Sequence, residues 1–79
     1  MNISGVLVQI APARVEEVRE NILKLRDVEI PLEAGDGRMV VIIEEKSTKA
    51  SGEVLMTLQT LPGVLSANLV YQHVEEEDG

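Results

Sequence analysis

The sequence predicts an α+β fold in which four strands and two helices follow one another in the order β-α-β-β-α-β. Three observations support this order. Apolar residues alternate with a period of two near both ends of the chain, as in strands with one covered side. Two intervening stretches repeat apolar residues at helical spacing, and Gly- or Pro-rich turns separate the elements. Seventy-nine residues allow one domain with a single two-layer core.

The first half of the chain predicts a strand, a helix and an edge strand. Alternation from Ile3 to Ile10 is typical of a strand, and Pro12 suits the first turn of a helix. The helix is predicted from Ala13 to Leu25. Its apolar stripe consists of Val15, Val18, Ile22 and Leu25. The run from Val28 to Glu33 alternates again, and Pro31, which cannot donate a ladder hydrogen bond, predicts an edge position.

The second half predicts a central strand, a second helix and a last strand. A turn at 34–37 contains two glycines and leads into the continuous apolar run from Met39 to Ile43. Ser47 or Thr48 can cap a helix that stops at Pro62-Gly63. One face of the last strand is predicted to carry Leu65, Ala67, Leu69 and Tyr71. The other face is predicted to carry Ser66, Asn68, Val70 and Gln72.

Right-handed crossovers turn this element order into one topology. The strands form a four-stranded antiparallel sheet in the order 4-1-3-2, with both helices on one face. This arrangement is the ferredoxin-like plait, and it leaves the second face of the sheet open. The predicted core between sheet and helices consists of Val6, Val8, Val18, Ile22, Met39, Val41, Val54, Leu58, Leu65 and Leu69.

Composition excludes several classes of function. The net charge of −7 and the single aromatic residue argue against nucleic-acid binding, which uses clustered cations and stacking rings. The absence of cysteine excludes disulfides and thiolate metal sites, and no cofactor is expected. No signal peptide or apolar span is recognisable, so a cytoplasmic protein without membrane insertion is expected. The ferredoxin-like domain is predicted at 1–74, followed by a flexible acidic tail at 75–79.

Three segments together resemble the NapD family. They are Ile3-Ser4-Gly5-Val6-Leu7-Val8, the strand from Gly37 to Glu44, and Pro62 to Tyr71 ahead of the acidic tail. The resemblance covers nearly the whole chain. It implies a ferredoxin-like cytoplasmic chaperone for assembly of the periplasmic nitrate reductase. Its implied partner is the twin-arginine signal peptide of the catalytic subunit, whose export it holds back until the molybdenum cofactor is loaded.

The positions of candidate binding residues follow from the predicted topology. The acidic residues Glu29, Glu44 and Glu45 should meet at one end of the sheet, with Glu29 and Glu44 on the open face. The predicted apolar neighbours on that face are Leu7, Val40, Ile42 and Val70. Carboxylates beside an apolar surface complement a peptide in which arginines precede an apolar segment.

Three further residues are candidates for contact with a peptide. Gly5 leaves room for close backbone approach, although a strand glycine also marks bulges. Ser66 and Asn68 can hydrogen-bond a peptide or form the polar side of an edge strand, and the edge of the last strand can itself pair with a peptide. Tyr71 is predicted on the helix side, with its hydroxyl reaching water.

Other functions are possible for the same topology. An enzyme of the acylphosphatase kind needs an anion cradle after the first strand, where this chain offers Arg14 without a glycine-rich loop. A metallochaperone needs a cysteine pair, which is absent. The remaining alternative is a small-molecule-sensing domain that dimerises through its open sheet face. A monomer with a free face is expected for peptide capture.

Overall fold

The computed structural model describes residues 2–74, apart from the side chain of Thr48. The predicted acidic tail at 75–79 lies outside the described residues. The elements are β1 (Asn2–Ile10), a 3-10 turn (Pro12–Arg14), α1 (Val15–Leu23), β2 (Val28–Glu33), β3 (Arg38–Glu45), α2 (Thr48–Thr60) and β4 (Val64–Val74). Within this part of the chain, neither helix is long and apolar enough to cross a membrane.

The sheet has the predicted topology. Its strands lie in the order β2-β3-β1-β4, and each neighbouring pair is antiparallel. β1 is therefore paired on both sides, whereas β2 with its Pro31 lies at one edge. The order 4-1-3-2 and the edge position of β2 are both confirmed.

Local sequence explains where the elements begin and turn. The Oγ atom of Ser47 accepts a hydrogen bond from the backbone N–H of Ala50 over 3.0 Å, which caps α2. Gly37 closes the β2–β3 hairpin with a φ of +94°, and its backbone packs against β1. A Cβ atom at Gly37 would lie 2.4 Å from the carbonyl oxygen of Ile10, so only glycine fits.

The core lies between the sheet and both helices, which pack on the same face. Seven predicted core residues are buried: Val6, Val8, Val18, Ile22, Met39, Val41 and Leu58. Val54 packs against this core but is only partly buried. The core also includes three residues that the prediction omitted: Ile10, Ile43 and Ala67.

The prediction that Leu65 and Leu69 are buried is wrong. Leu65 is 69% exposed because it is the extra residue of a β-bulge, between the register pairs Gln9–Ser66 and Ile10–Val64. Leu69 does lie on the helix side, opposite Val6, but it remains 45% exposed. It borders a cleft of about 100 Å³ beside the first turns of α2, where Gly52 has no side chain to cover it.

Truncation of Leu58 should destabilise the domain strongly. Its side chain is fully buried, so Leu58→Ala should lower the free energy of unfolding by about 2–5 kcal/mol. Met56 lies on the exposed side of the same helix, and Met56→Ala is the matched control with an expected change below about 1 kcal/mol. Urea denaturation measures both values. Equal losses in the two variants would contradict the placement of α2.

Candidate functional site

The face of the sheet away from the helices, called here the open face, presents four rows of side chains. The antiparallel register aligns these rows across the strands. From β2 towards β4, the two central rows are Leu32, Val40, Leu7 and Asn68, followed by Glu29, Ile42, Gly5 and Tyr71. The flanking rows are Arg38, Gln9 and Ser66 at the hairpin end and Glu44, Ile3 and His73 at the other end.

An apolar patch occupies the middle of the open face. It consists of Ile3, Leu7, Leu32, Val40 and Ile42. Leu7, Val40 and Ile42 are partly exposed and adjacent, as predicted. Leu7, Leu32 and Val40 line a depression of about 200 Å³ with Arg38 at its rim. Such a depression can receive an apolar side chain of a partner.

Leu32 is a member of the patch that the sequence analysis missed. Strict alternation places Leu32 on the same face as Val28 and Ile30, which pack against the core. The pairs Glu29–Ile42 and Leu32–Val40 show one extra residue in β2, and this bulge turns Leu32 to the open face. Leu32 is 63% exposed there. Pro31 was the available signal, because proline in a strand is tolerated at bulges.

Two carboxylates border the patch at the end opposite the hairpin. Glu29 and Glu44 are exposed on the open face, opposite Ile42 and Ile3, as predicted. Glu45 lies at the same end but opposite the buried Asn2, so its side chain belongs to the helix side. The structure therefore brings together Glu29 and Glu44 but not Glu45.

The other charges near the open face are arranged asymmetrically. At the hairpin end, Arg38 pairs with Asp36, with 2.9 Å between Nε and Oδ2. This hydrogen bond lowers the pKa of Asp36 and offsets the charge of Arg38. The loops at the carboxylate end carry Arg26, Asp27 and Lys46, so charges of both signs lie at that end of the sheet.

Glu33 is excluded from the open face by the same bulge that exposes Leu32. Its carboxylate pairs with Arg19 of α1, with 2.7 Å between Oε1 and Nη2. The hydrogen bond from the Arg19 guanidinium to Glu33 raises the pKa of Arg19. This pair links α1 to the edge strand on the helix side.

Tyr71 lies on the open face, and its predicted position on the helix side is wrong. The register places Tyr71 opposite Gly5, whereas Leu69 is opposite Val6, so Val70 is the extra residue of a second bulge in β4. Beyond that bulge the faces of β4 are exchanged relative to strict alternation. Gln72, predicted on the open face, lies opposite the buried Ser4 instead.

Gly5 provides the space that Tyr71 occupies. A Cβ atom on Gly5 would lie 3.2 Å from Cβ and 3.9 Å from Cδ2 of Tyr71, and 3.6 Å from Cδ1 of Ile42. The tyrosine and isoleucine side chains thus reach over the bare glycine from its two sides. Gly5 serves side-chain packing here, in the manner of an aromatic residue that covers a strand glycine.

The polar candidates of β4 have separate positions. Ser66 and Asn68 lie on the open face, opposite Gln9 and Leu7. Val70 is exposed but has no cross-strand partner in the register, so it is not aligned with the apolar patch. Among residues 2–74 no group of three or more His, Asp or Glu side chains could hold a metal ion. The side chains of the open face offer apolar contacts and, at Glu29 and Glu44, hydrogen-bond acceptors.

The architecture defines a ferredoxin-like protein with one exposed face of the sheet. The sequence matches the NapD protein family over residues 1–76, and the chain belongs to that family. A comparison with curated proteins gave no match.

Two solved structures share the fold. The solution structure of the E. coli Tat proofreading chaperone protein NapD is similar with a TM-score of 0.82 at 22% identity, over 98% of this chain and 81% of that chain. A crystal structure of a protein from Thermus thermophilus is similar with a TM-score of 0.74 at 20% identity, over 98% of both chains.

Aspartate substitutions at two adjacent residues of β3 should distinguish the faces. Val41 is fully buried, so Val41→Asp should cost about 4 kcal/mol or more of unfolding free energy. Val40 lies on the open face, and Val40→Asp should cost less than about 2 kcal/mol. Urea denaturation provides the comparison. A larger loss at Val40 than at Val41 would show that the faces are assigned in reverse.

Proposed function

We propose that this protein is a cytoplasmic assembly chaperone that binds a twin-arginine signal peptide on its open face. The proposed client is the catalytic subunit of the periplasmic nitrate reductase, whose export is held back until its cofactor is loaded. Membership of the NapD family supports the chaperone role. A structure of the same fold is named as a Tat proofreading chaperone, which supports the type of peptide. We infer a binding role without catalysis.

The order of chemical groups on the open face is the observation that carries the proposal. Glu29 and Glu44 border the apolar patch at one end, and the depression lined by Leu7, Leu32 and Val40 lies towards the other. A twin-arginine signal peptide has two arginines followed by an apolar segment. The matching order assigns the arginines to the carboxylates and the apolar segment to the patch.

This assignment also fixes a direction for the peptide. Val40 and Glu44 are four residues apart in β3, a distance of about 13 Å in an extended strand. The arginines should therefore lie near Asn2 and His73, and the apolar segment should extend towards the hairpin at Gly35 to Arg38.

A charge placed in the apolar patch should weaken peptide binding. Val40→Asp puts a carboxylate where the apolar segment is proposed to pack, and roughly a tenfold rise in Kd is expected, or about 1.4 kcal/mol. Titration calorimetry with a synthetic twin-arginine signal peptide measures the change, and Met56→Asp on the exposed side of α2 is the control. An unchanged Kd would favour strand addition at the β4 edge instead.

Removal of the two open-face carboxylates should weaken binding and reduce its dependence on salt. Exposed ion pairs contribute up to about 1 kcal/mol each, so Glu29→Gln with Glu44→Gln should raise Kd roughly tenfold at low salt. The difference from the wild type should shrink at high salt, because ions screen the attraction. Calorimetry at two salt concentrations measures both effects.

Glu45→Gln is the matched control for this charge experiment. It removes an equal charge at the same end of the sheet, but from the helix side. It should therefore change Kd less than about twofold. Equal effects of Glu45→Gln and Glu44→Gln would indicate general electrostatic attraction and would reject the assignment to the open face.

The alternative function, a sensing domain that dimerises through the open face, is tested separately by the mass of the protein in solution. The proposal expects a monomer.

A further inference from the structure

The ring of Tyr71 is the one large aromatic surface that the protein possesses. The sequence contains no tryptophan or phenylalanine and no second tyrosine. Two local features place the ring on the open face and close to β1. The bulge at Val70 turns it away from the helix side, and the missing side chain of Gly5 lets its ring approach β1.

The ring is held low against the sheet but is still accessible. Its Cδ2 atom lies within 3.9 Å of the position that a Gly5 Cβ would occupy, while the residue is 55% exposed. A tyrosine side chain without contacts to the sheet would rotate freely and would lose more conformational freedom on binding. Tyr71 instead offers a supported surface, which loses little conformational freedom when another group packs on it.

Two carboxylates lie on the same face of the sheet as the ring. Glu29 shares its row across the sheet, and Glu44 stands in the adjoining row with Ile3 and His73. Three strand spacings of about 4.8 Å separate Tyr71 from Glu29, so about 14 Å lies between the two backbones. Two neighbouring arginine side chains can cover that span, with one near the carboxylates and one on the ring.

We propose that Tyr71 is a platform on which an arginine guanidinium of the bound peptide stacks, and that it selects arginine over lysine. This inference rests on the proposed binding of a twin-arginine signal peptide. A guanidinium is planar and weakly hydrated, so it stacks on an aromatic face, whereas a lysine ammonium is a compact and strongly hydrated charge. The carboxylates attract both cations, and the ring adds the preference.

The test is a double-mutant cycle between Tyr71 and the peptide. Two synthetic peptides carry either two arginines or two lysines before the same apolar segment, and neither contains an aromatic residue. For wild type, Tyr71→Phe and Tyr71→Leu, calorimetry gives the Kd of the lysine peptide divided by the Kd of the arginine peptide. If the guanidinium stacks on the ring, this ratio should be roughly three- to tenfold larger for the wild type than for Tyr71→Leu. Tyr71→Phe, which keeps the ring, should retain the wild-type ratio.

Nuclear magnetic resonance provides a readout that stability does not affect. Tyr71 is the single tyrosine of a chain without phenylalanine or tryptophan, and His73 is present in every variant. Ring-current shifts of arginine side-chain protons that depend on the residue at position 71 therefore report on Tyr71. Upfield shifts of the arginine Hδ protons are expected with the wild type and with Tyr71→Phe. They should be absent with Tyr71→Leu.

The outcomes separate this inference from the proposed function. If the wild type binds the arginine peptide but Tyr71→Leu leaves the arginine-to-lysine ratio unchanged, the platform is rejected and peptide binding stands. The same conclusion follows if Tyr71→Phe loses the ratio, because the hydroxyl and not the ring would then be responsible. If the wild type binds neither peptide, the proposed function itself fails.

Discussion

Backbone pairing of β1 on both of its sides is the constraint on which the rest of the structure depends. Its ladders with β3 and β4 fix the side to which the residues of all three strands point. On one side the alternation places Val6, Val8 and Ile10 beneath the helices. On the other side it places Leu7 and Gly5 on the open face, so one strand provides both the centre of the core and the centre of the candidate site.

The accuracy of the sequence analysis follows the regularity of the strands. In β1 and β3, simple alternation assigned Val8, Val40 and Val41 to the correct faces, because both strands are paired on two sides with no break in their shared register. In the edge strands β2 and β4 it failed at Leu32, Leu65 and Tyr71. Each failure follows a bulge, since an edge strand can accept an extra residue without disrupting a second ladder. Pro31 hinted at one bulge, but no residue type announced the bulge at Val70.

The sequence predicted which types of chemical group form the candidate site but only some of the residues that provide them. Glu29 and Glu44 lie in regular parts of their ladders, so topology and alternation were sufficient to place them together. Leu32 and Tyr71 could not be added without the exact register, whereas alternation was sufficient to place Glu45 on the face opposite to Glu44. A domain of this size has room for only one core, on one side of the sheet. Aliphatic residues on the other side therefore remain on the surface.

The bulge at Val70 gives the end of β4 a tolerance to changes in length that the inner strands lack. A chain without Val70 could continue the ladder regularly from Leu69 and still place its tyrosine opposite Gly5. If the residue were kept but the bulge were lost, the tyrosine would instead turn towards the helices and Val70 would take its place on the open face. Deletion of one residue from this strand is therefore compatible with the same surface, whereas a shift of one residue in its pairing would replace the ring by a smaller aliphatic group.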